Sequence, residues 1–461
     1  MTNFRSLHGL LLLGFGVMAL SCGPAPESLE PTGATLPPTS TVAGSSVSPA
    51  PATVTPMPAI PEVLDRTCPP MTGGAPPIQL HPDSTDYSQE IADYLSAGGS
   101  LEELLSELEF LGELSWEKKV AVLSVDVTGD GQLDVVVESL WIPPEQTLSG
   151  HAYVLTCAAG RFVATVVADF GFTASFANPS QNQTLGLRAV EDLTGDGVPE
   201  LLFSFVETPE MLPVDGQSDY VRFFKVVGWD GTEFADLLPE QFPTRPAVTV
   251  RNGDGTLSDA DGDSLKELVL RGGAAIPGYG HPFLRAQTET WGWEDSDFAL
   301  RCIVHGAPTY RFQAVEDGDA AVLCRDWDVA IDSYQRAIFD ESLRTWVGDE
   351  LGLVPAPEDE RLVLSAYSRY RILLIHLANG TDDAASVVHE GLQKNFPTGS
   401  AGSAYAELAE VVWDEYSASQ DLSAACRKAV RQAEAEGLAP LADLYGYFSK
   451  LYSADDYLCP F

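Results

Sequence analysis

Three nine-residue stretches concentrate the side chains that could do chemistry: DVTGDGQLD from Asp126, DLTGDGVPE from Asp192 and DADGDSLKE from Asp259. Oxygen-bearing side chains recur in each at positions one, three, five and nine. They are Asp126, Thr128, Asp130 and Asp134 in the first loop and Asp192, Thr194, Asp196 and Glu200 in the second. The third has Asp259, Asp261, Asp263 and Glu267. Calcium takes about six to eight oxygen donors at roughly 2.3 to 2.6 Å, and alternating donors along a tight turn converge on one ion with help from a backbone carbonyl at position seven. Gly129, Gly195 and Gly262 at position four permit such a turn, since glycine adopts backbone conformations that other residues resist. An EF-hand would place a bidentate glutamate at position twelve and continue as a helix. Here position twelve is Val137, Phe203 or Leu270 and β-type sequence follows, which excludes the EF-hand. The third loop departs from the other two, with Ser264 in place of Gly131 and Gly197 and with Asp261 as an added carboxylate.

The elements that must position these loops repeat with them. The loops begin 66 and 67 residues apart, and each runs into an apolar stretch: VVVES from Val135, LLFSF from Leu201 and LVLRG from Leu268. A second landmark follows, a predicted hairpin in which Trp229 precedes Phe234 and Trp293 precedes Phe298 by five residues. Cys157 and Phe162 keep that spacing in the first copy, so two landmarks share one period and indicate internal duplication. These loops resemble the FG-GAP or VCBS-type repeats of integrin-like β-propellers. The resemblance implies four antiparallel strands per copy and calcium ligation by the twelve residues named above. Three copies are fewer than a closed propeller contains. The expectation over residues 116–306 is a partial β-propeller with its open edges covered by flanking helices; a dimer completing the ring is the alternative.

Residues 67–115 read as a short helical segment, with Ser100 as an N-cap, Glu103 three residues on, and Gly98 and Gly99 as the break before it. From residue 307 to 461 the pattern is again helical. DWDVAIDSYQRAI from Asp326 places Trp327, Ala330, Ile331, Tyr334, Ala337 and Ile338 on one face. This resembles the second helix of a tetratricopeptide repeat. A further pair around Ala366–Pro397 keeps Gly380, Ala385 and Pro397 in matching places, and Ser403–Ala433 reads as a third pair. The expected fold class is therefore multidomain α+β: a partial β-propeller-like repeat domain of antiparallel strands followed by an α-helical, tetratricopeptide-like hairpin domain.

With 67 Asp and Glu against 26 Lys and Arg, the formal charge of −41 excludes nucleic acid and anionic membrane surfaces as partners. Residues 1–21 read as an export signal, in which Arg5 precedes an apolar run from Leu10 to Leu20 that is too short to span a bilayer. The run ends in Ala19, Leu20, Ser21 and Cys22, which resembles the lipobox of bacterial lipoproteins with its leucine one place late. Ala19 and Ser21 also suit ordinary small-x-small cleavage. The lipobox reading makes Cys22 the lipidated N-terminus. Residues 22–66 then form a Pro/Ser/Thr-rich tether, with ten prolines between Cys22 and Glu62. Lipidation leaves six of seven cysteines, Cys68, Cys157, Cys302, Cys324, Cys426 and Cys459, free to pair in an oxidising compartment. Six cysteines allow fifteen pairings, and the sequence selects none.

Catalytic motifs are missing: there is no P-loop, no GxSxG, no HExxH and no dinucleotide fingerprint. His389 and Glu390 begin a zinc-type motif that Gln393 breaks, and the spacing of His389 makes it a packing residue. The sequence thus points to a cell-surface lipoprotein whose body lies outside the cytoplasmic membrane. Calcium would stiffen its β repeats, and its helical hairpins would offer a groove to a protein or peptide without catalysis. The alternative is an extracellular carbohydrate-binding or carbohydrate-active protein, in which Trp229, Trp291 and Trp293 stack on sugar rings.

Overall fold

A computed structural model describes residues 68–80, 86–113, 120–141, 149–169, 186–207, 220–242, 245–246, 248–273, 285–294, 296–345, 359–438 and 458–461. The export signal, Cys22 and the tether lie outside the described residues. Glu62–Phe461 form one compact unit.

Two short helices come first, α1 (Ser88–Ser96) and α2 (Leu101–Glu113). The chain breaks between them at Gly98, whose φ of +84° is a conformation glycine adopts without penalty. Ser100 Oγ then accepts from the Glu103 N–H at 3.1 Å, so the N-cap read from the sequence forms, and the Glu103 carboxylate accepts from Tyr94 Oη at 2.7 Å.

Each repeat folds as an antiparallel meander. The first contains β1 (Val120–Val125), β2 (Asp134–Trp141), β3 (Ser149–Ala158) and β4 (Arg161–Asp169), paired in that order. The second contains β5 (Gly186–Glu191), β6 (Glu200–Glu207) and β7 (Val221–Trp229), and its fourth position is split. The end of β7 pairs with β8 (Phe234–Asp236), while its start pairs with β11 (Val248–Arg251). Between them β9 (Glu240–Phe242) and β10 (Arg245–Pro246) make a small ribbon. The third repeat contains β12 (Asp254–Ser258), β13 (Glu267–Gly272), β14 (Gln287–Glu294) and β15 (Asp297–His305) in sequential order. Every acidic loop joins the first strand of its sheet to the second. Every hairpin landmark closes the third onto the fourth, with Cys157 facing Phe162, Trp229 facing Phe234 and Trp293 facing Phe298.

Strand periodicity sends successive residues to opposite faces. Leu201, Phe203 and Phe205 of β6 pack with Val136 and Val154 of the first sheet. On the other face Leu202, with Phe224 and Val226 of β7, meets Leu268, Leu270 and Trp291 of the third. The middle sheet is buried on both faces, which is why Leu201, Leu202 and Phe203 run on as apolar residues rather than alternating with polar ones. The far face of the first sheet, carrying Val135, Val137, Tyr153 and Leu155, is covered by Ile91, Leu95, Leu104 and Leu108 of α1 and α2. Among the described residues no strand joins one repeat's sheet to the next, and the sheets do not close into a barrel.

Three helical hairpins follow: α3 (Arg311–Leu323) with α4 (Trp327–Phe339), α5 (Glu360–Ala378) with α6 (Asp382–Asn395), and α7 (Ser403–Ser419) with α8 (Leu422–Glu436). Asp326 caps α4 by accepting from the Val329 N–H at 3.2 Å, and Asp421 caps α8 through the Ala424 N–H at 2.9 Å. Ala330, Tyr334, Ala337 and Ile338 are buried on the predicted face of α4, with Trp327 and Ile331 packed at its margin. Of the fifteen pairings left open by the sequence, the structure contains Cys68–Cys157, Cys302–Cys324 and Cys426–Cys459. The second of these joins β15 to the residue that ends α3. No helix among the described residues is long and apolar enough to cross a membrane.

Candidate metal centre

The three acidic loops share one internal hydrogen-bond pattern. The position-one aspartate collects the N–H groups of positions four and six. Asp126 accepts from Gly129 at 2.7 Å and Gly131 at 2.8 Å, Asp192 from Gly195 at 2.7 Å and Gly197 at 3.0 Å, and Asp259 from Gly262 at 2.6 Å and Ser264 at 3.2 Å. The position-five carboxylates of Asp130, Asp196 and Asp263 each accept from the N–H of position seven at 2.8 Å. Position nine points inward and accepts from the N–H of position two: Asp134 from Val127 at 3.0 Å, Glu200 from Leu193 and Glu267 from Ala260 at 2.6 Å. The Thr128 and Thr194 hydroxyls donate to the same position-nine carboxylates at 3.1 and 3.2 Å. Ser264 adopts φ +81° where the other loops use glycine. That left-handed conformation costs a side-chain-bearing residue about 1 kcal/mol.

Electrostatics separate position nine from the rest. Asp134 is 1% exposed and Glu200 3% exposed. Burial pushes the Asp134 carboxyl up to about 6, against the hydrogen bonds from Val127 and Thr128, and Asp130 and Asp126 add to the rise. Burial raises Glu200 in the same way, with Asp196 and Asp192 adding to it. A cation placed among these oxygens would reverse both shifts. The donor set is all oxygen, the kind a hard divalent ion takes, but among the described residues neither Asp126, Asp130 and Asp134 nor Asp192, Asp196 and Glu200 bring three carboxylates within 4.8 Å of one another.

The loops also stack in series. A Cβ on Gly129 would lie 2.6 Å from Val198 of the second loop, and one on Gly195 would lie 3.1 Å from Leu265 of the third. Each position-four glycine therefore seats the position-seven side chain of the next loop. Gly262 faces open space, so the series ends there.

The third loop differs from the others in charge as well. Among the described residues, three carboxylates gather within 4.8 Å of one another at Asp259, Asp261 and Glu267, and Asp263 lies outside that group. Arg301 Nη1 already donates to Asp261 at 2.8 Å and to Glu267 at 3.1 Å. The one loop whose carboxylates gather in this way, among the described residues, thus already holds a positive charge. Sequence reasoning passed over Arg301, although its place three residues beyond the Phe298 landmark was available as a signal.

The first two loops and the hairpin turns open onto a cavity of about 1130 Å³, lined among others by Asp130, Asp196, Glu200, Trp229, Trp293 and Asp297. Trp229 and Trp293 are half-buried and each rests against its hairpin phenylalanine, with ring centroids 4.9 and 5.7 Å apart. Trp291 does not join them. It is 3% exposed and donates to Glu289 at 2.9 Å, so a residue that only the carbohydrate alternative would stack on sugar belongs to the core between sheets two and three. His389 is a packing residue, stacked on Trp413 at 5.1 Å and hydrogen-bonded to Glu410 at 2.8 Å, while Gln393 donates to the Ala406 carbonyl. Compared with known proteins, the chain matches no family model and no curated relative.

Proposed function

We propose that this chain is a calcium-stabilised, non-catalytic binding protein of the cell surface, exported and lipid-anchored through Cys22. Its β repeats form a partial propeller of the FG-GAP or VCBS type, and its helical hairpins a tetratricopeptide-like scaffold. The observation that carries the calcium reading is the pair of buried carboxylates, Asp134 and Glu200, each at the base of a preformed all-oxygen turn and raised in pKa by burial, with the neighbouring loop aspartates adding to the rise. The partner is a protein or peptide that enters the cavity beside those loops. Beyond the calcium ligands, its lining among the described residues holds Asp230, Asp236 and Asp297 and no lysine, arginine or histidine, which favours a segment carrying positive charge. A glycan is the second reading, favoured by Trp229 and Trp293, which both line the cavity.

One titration series separates these readings. Calcium added to chelated protein should raise the melting temperature of wild type and should raise it less in Asp130→Asn or Asp196→Asn. A lysine-rich peptide and an oligosaccharide panel are then offered to wild type, Trp229→Ala and Trp293→Ala. Peptide binding that weakens with salt supports the first reading; sugar binding lost in both tryptophan variants replaces it with the second. A melting temperature indifferent to calcium would reduce the loops to acidic turns.

A further inference from the structure

Arg301 stands at an irregular place in its strand. Where β14 pairs with β15, Thr290 faces Cys302 and Trp291 faces Leu300, which leaves Arg301 as the extra residue of a bulge. A bulge frees one residue from the ladder and re-aims its side chain. The guanidinium crosses Gly292, where a Cβ would collide with it, and arrives at the third acidic loop. Besides its bonds to Asp261 and Glu267, it donates through Nη2 to the Trp293 carbonyl at 2.6 Å and lies 3.5 Å from Glu294. Its side chain is 22% exposed, and that of Glu267 is 2% exposed.

The same seat exists in the second repeat, but without charge. Leu237 follows Phe234 by three residues as Arg301 follows Phe298, and it packs over Gly228, the counterpart of Gly292. Thr165 holds the corresponding place after Phe162. The charged seat thus coincides with the one loop in which position three is Asp261 rather than Thr128 or Thr194. The third loop has four carboxylates where its siblings have three, and the added one, Asp261, is in contact with Arg301. One guanidinium nitrogen, Nη1, shared between two carboxylates relieves their mutual repulsion and fixes their spacing, as a bound metal would.

We infer that Arg301 is a resident counter-ion that takes the place of the divalent cation in the third loop, so that this turn is set without metal while the first two depend on it. The identity of the displaced ion rests on the calcium reading proposed above. Equilibrium dialysis of the mature chain against calcium should therefore find two bound ions rather than three. Removing the charge with Arg301→Leu should add a third ion, and Arg301→Lys should leave the number at two. Asp261→Asn in the wild-type background should also leave it at two, and this variant decides the matter if Arg301→Leu fails to fold. Three ions in wild type, falling to two in Asp261→Asn, would show calcium displacing the arginine and would overturn the inference. So would a folded Arg301→Leu protein that gains no ion. Wild type that binds no calcium removes the calcium reading of the first two loops; the inference then stands or falls on whether Arg301→Leu acquires a site.

Discussion

The β repeats and the helical hairpins both bury carboxylates, and they neutralise them by opposite routes. In the repeats Asp134, Glu200 and Glu267 are held by amides of their own nine-residue turns. In the helices Asp319 of α3 accepts from Tyr334 Oη at 2.5 Å and Tyr367 Oη at 2.8 Å and faces Arg371 Nε at 3.3 Å, with partners drawn from α4 and α5. Burial raises the Asp319 carboxyl while Arg371 opposes the rise. A local turn leaves room for an ion supplied by the solvent, whereas a network assembled from three helices contains its own counter-charge. The third acidic loop combines the two, a local turn closed by a distant arginine.

The largest test of this contrast is Asp319→Ala, which strands a fully buried Arg371. Breaking a buried pair from one side costs about 3 to 5 kcal/mol, whereas replacing both partners with apolar groups is often neutral. Denaturant unfolding should show that loss for Asp319→Ala and recover most of it in Asp319→Ala with Arg371→Met. Equal losses in the single and double variants would mean that packing rather than charge governs the network.

Next in size is the link between the two regions. Cys302 and Cys324 tie β15 to the end of α3 across 22 residues of sequence. On chain-entropy grounds the bridge contributes about 3 kcal/mol. Replacing both cysteines with alanine should lower the unfolding midpoint by that amount under oxidising conditions. An unchanged midpoint would show the sheet and the helices holding together without it.

Calcium sharpens the contrast from the other side. At about 1 mM calcium, a site with a dissociation constant of roughly 0.1 mM contributes about 1.4 kcal/mol, so two sites give about 3 kcal/mol. Chelation should lower the β transition by that much, and magnesium should restore little of it because it holds a smaller, more hydrated shell. Asp319 and Arg371 should be indifferent to the treatment. A helical transition that moves with calcium to the same extent would erase the distinction.

The same contrast explains what could be read from the sequence. The loop residues, the strands behind them, the hairpin landmarks and the cap at Ser100 are local patterns, decided within a few residues. The partners of Asp319 are not local, since Tyr367 lies 48 positions away. Arg301 reaches Glu267 across 34 positions and only by way of a bulge. Trp291 and Trp293 differ by two residues and share a strand face, yet one fills the core and the other stands at the hairpin end. Strand parity alone does not separate them. Cysteine pairing likewise depends on which elements pack, which spacing does not encode.

The smallest expected effect concerns Asp134, and its sign distinguishes a proton from a calcium ion in the first loop. The folded carboxyl titrates near about 6, above its ordinary value of 3.8. A carboxyl raised by folding makes the native state bind a proton more readily than the unfolded chain. In chelator, this group therefore destabilises the fold above about pH 6, and that penalty fades as pH falls from about 6 towards 4. With calcium present the ion requires the carboxylate, so protonation competes with binding and calcium stabilisation declines over the same window. Melting temperatures with and without calcium should converge as pH is lowered from about 7 to 5. For this one group the convergence is on the order of 1 kcal/mol after allowance for solvent screening. Asp134→Asn should remove its share of the convergence, because the amide neither titrates nor supplies a charge. Curves that run parallel across the window in wild type would show that no proton competes with calcium at this carboxyl, and the first loop would lose its claim to the ion.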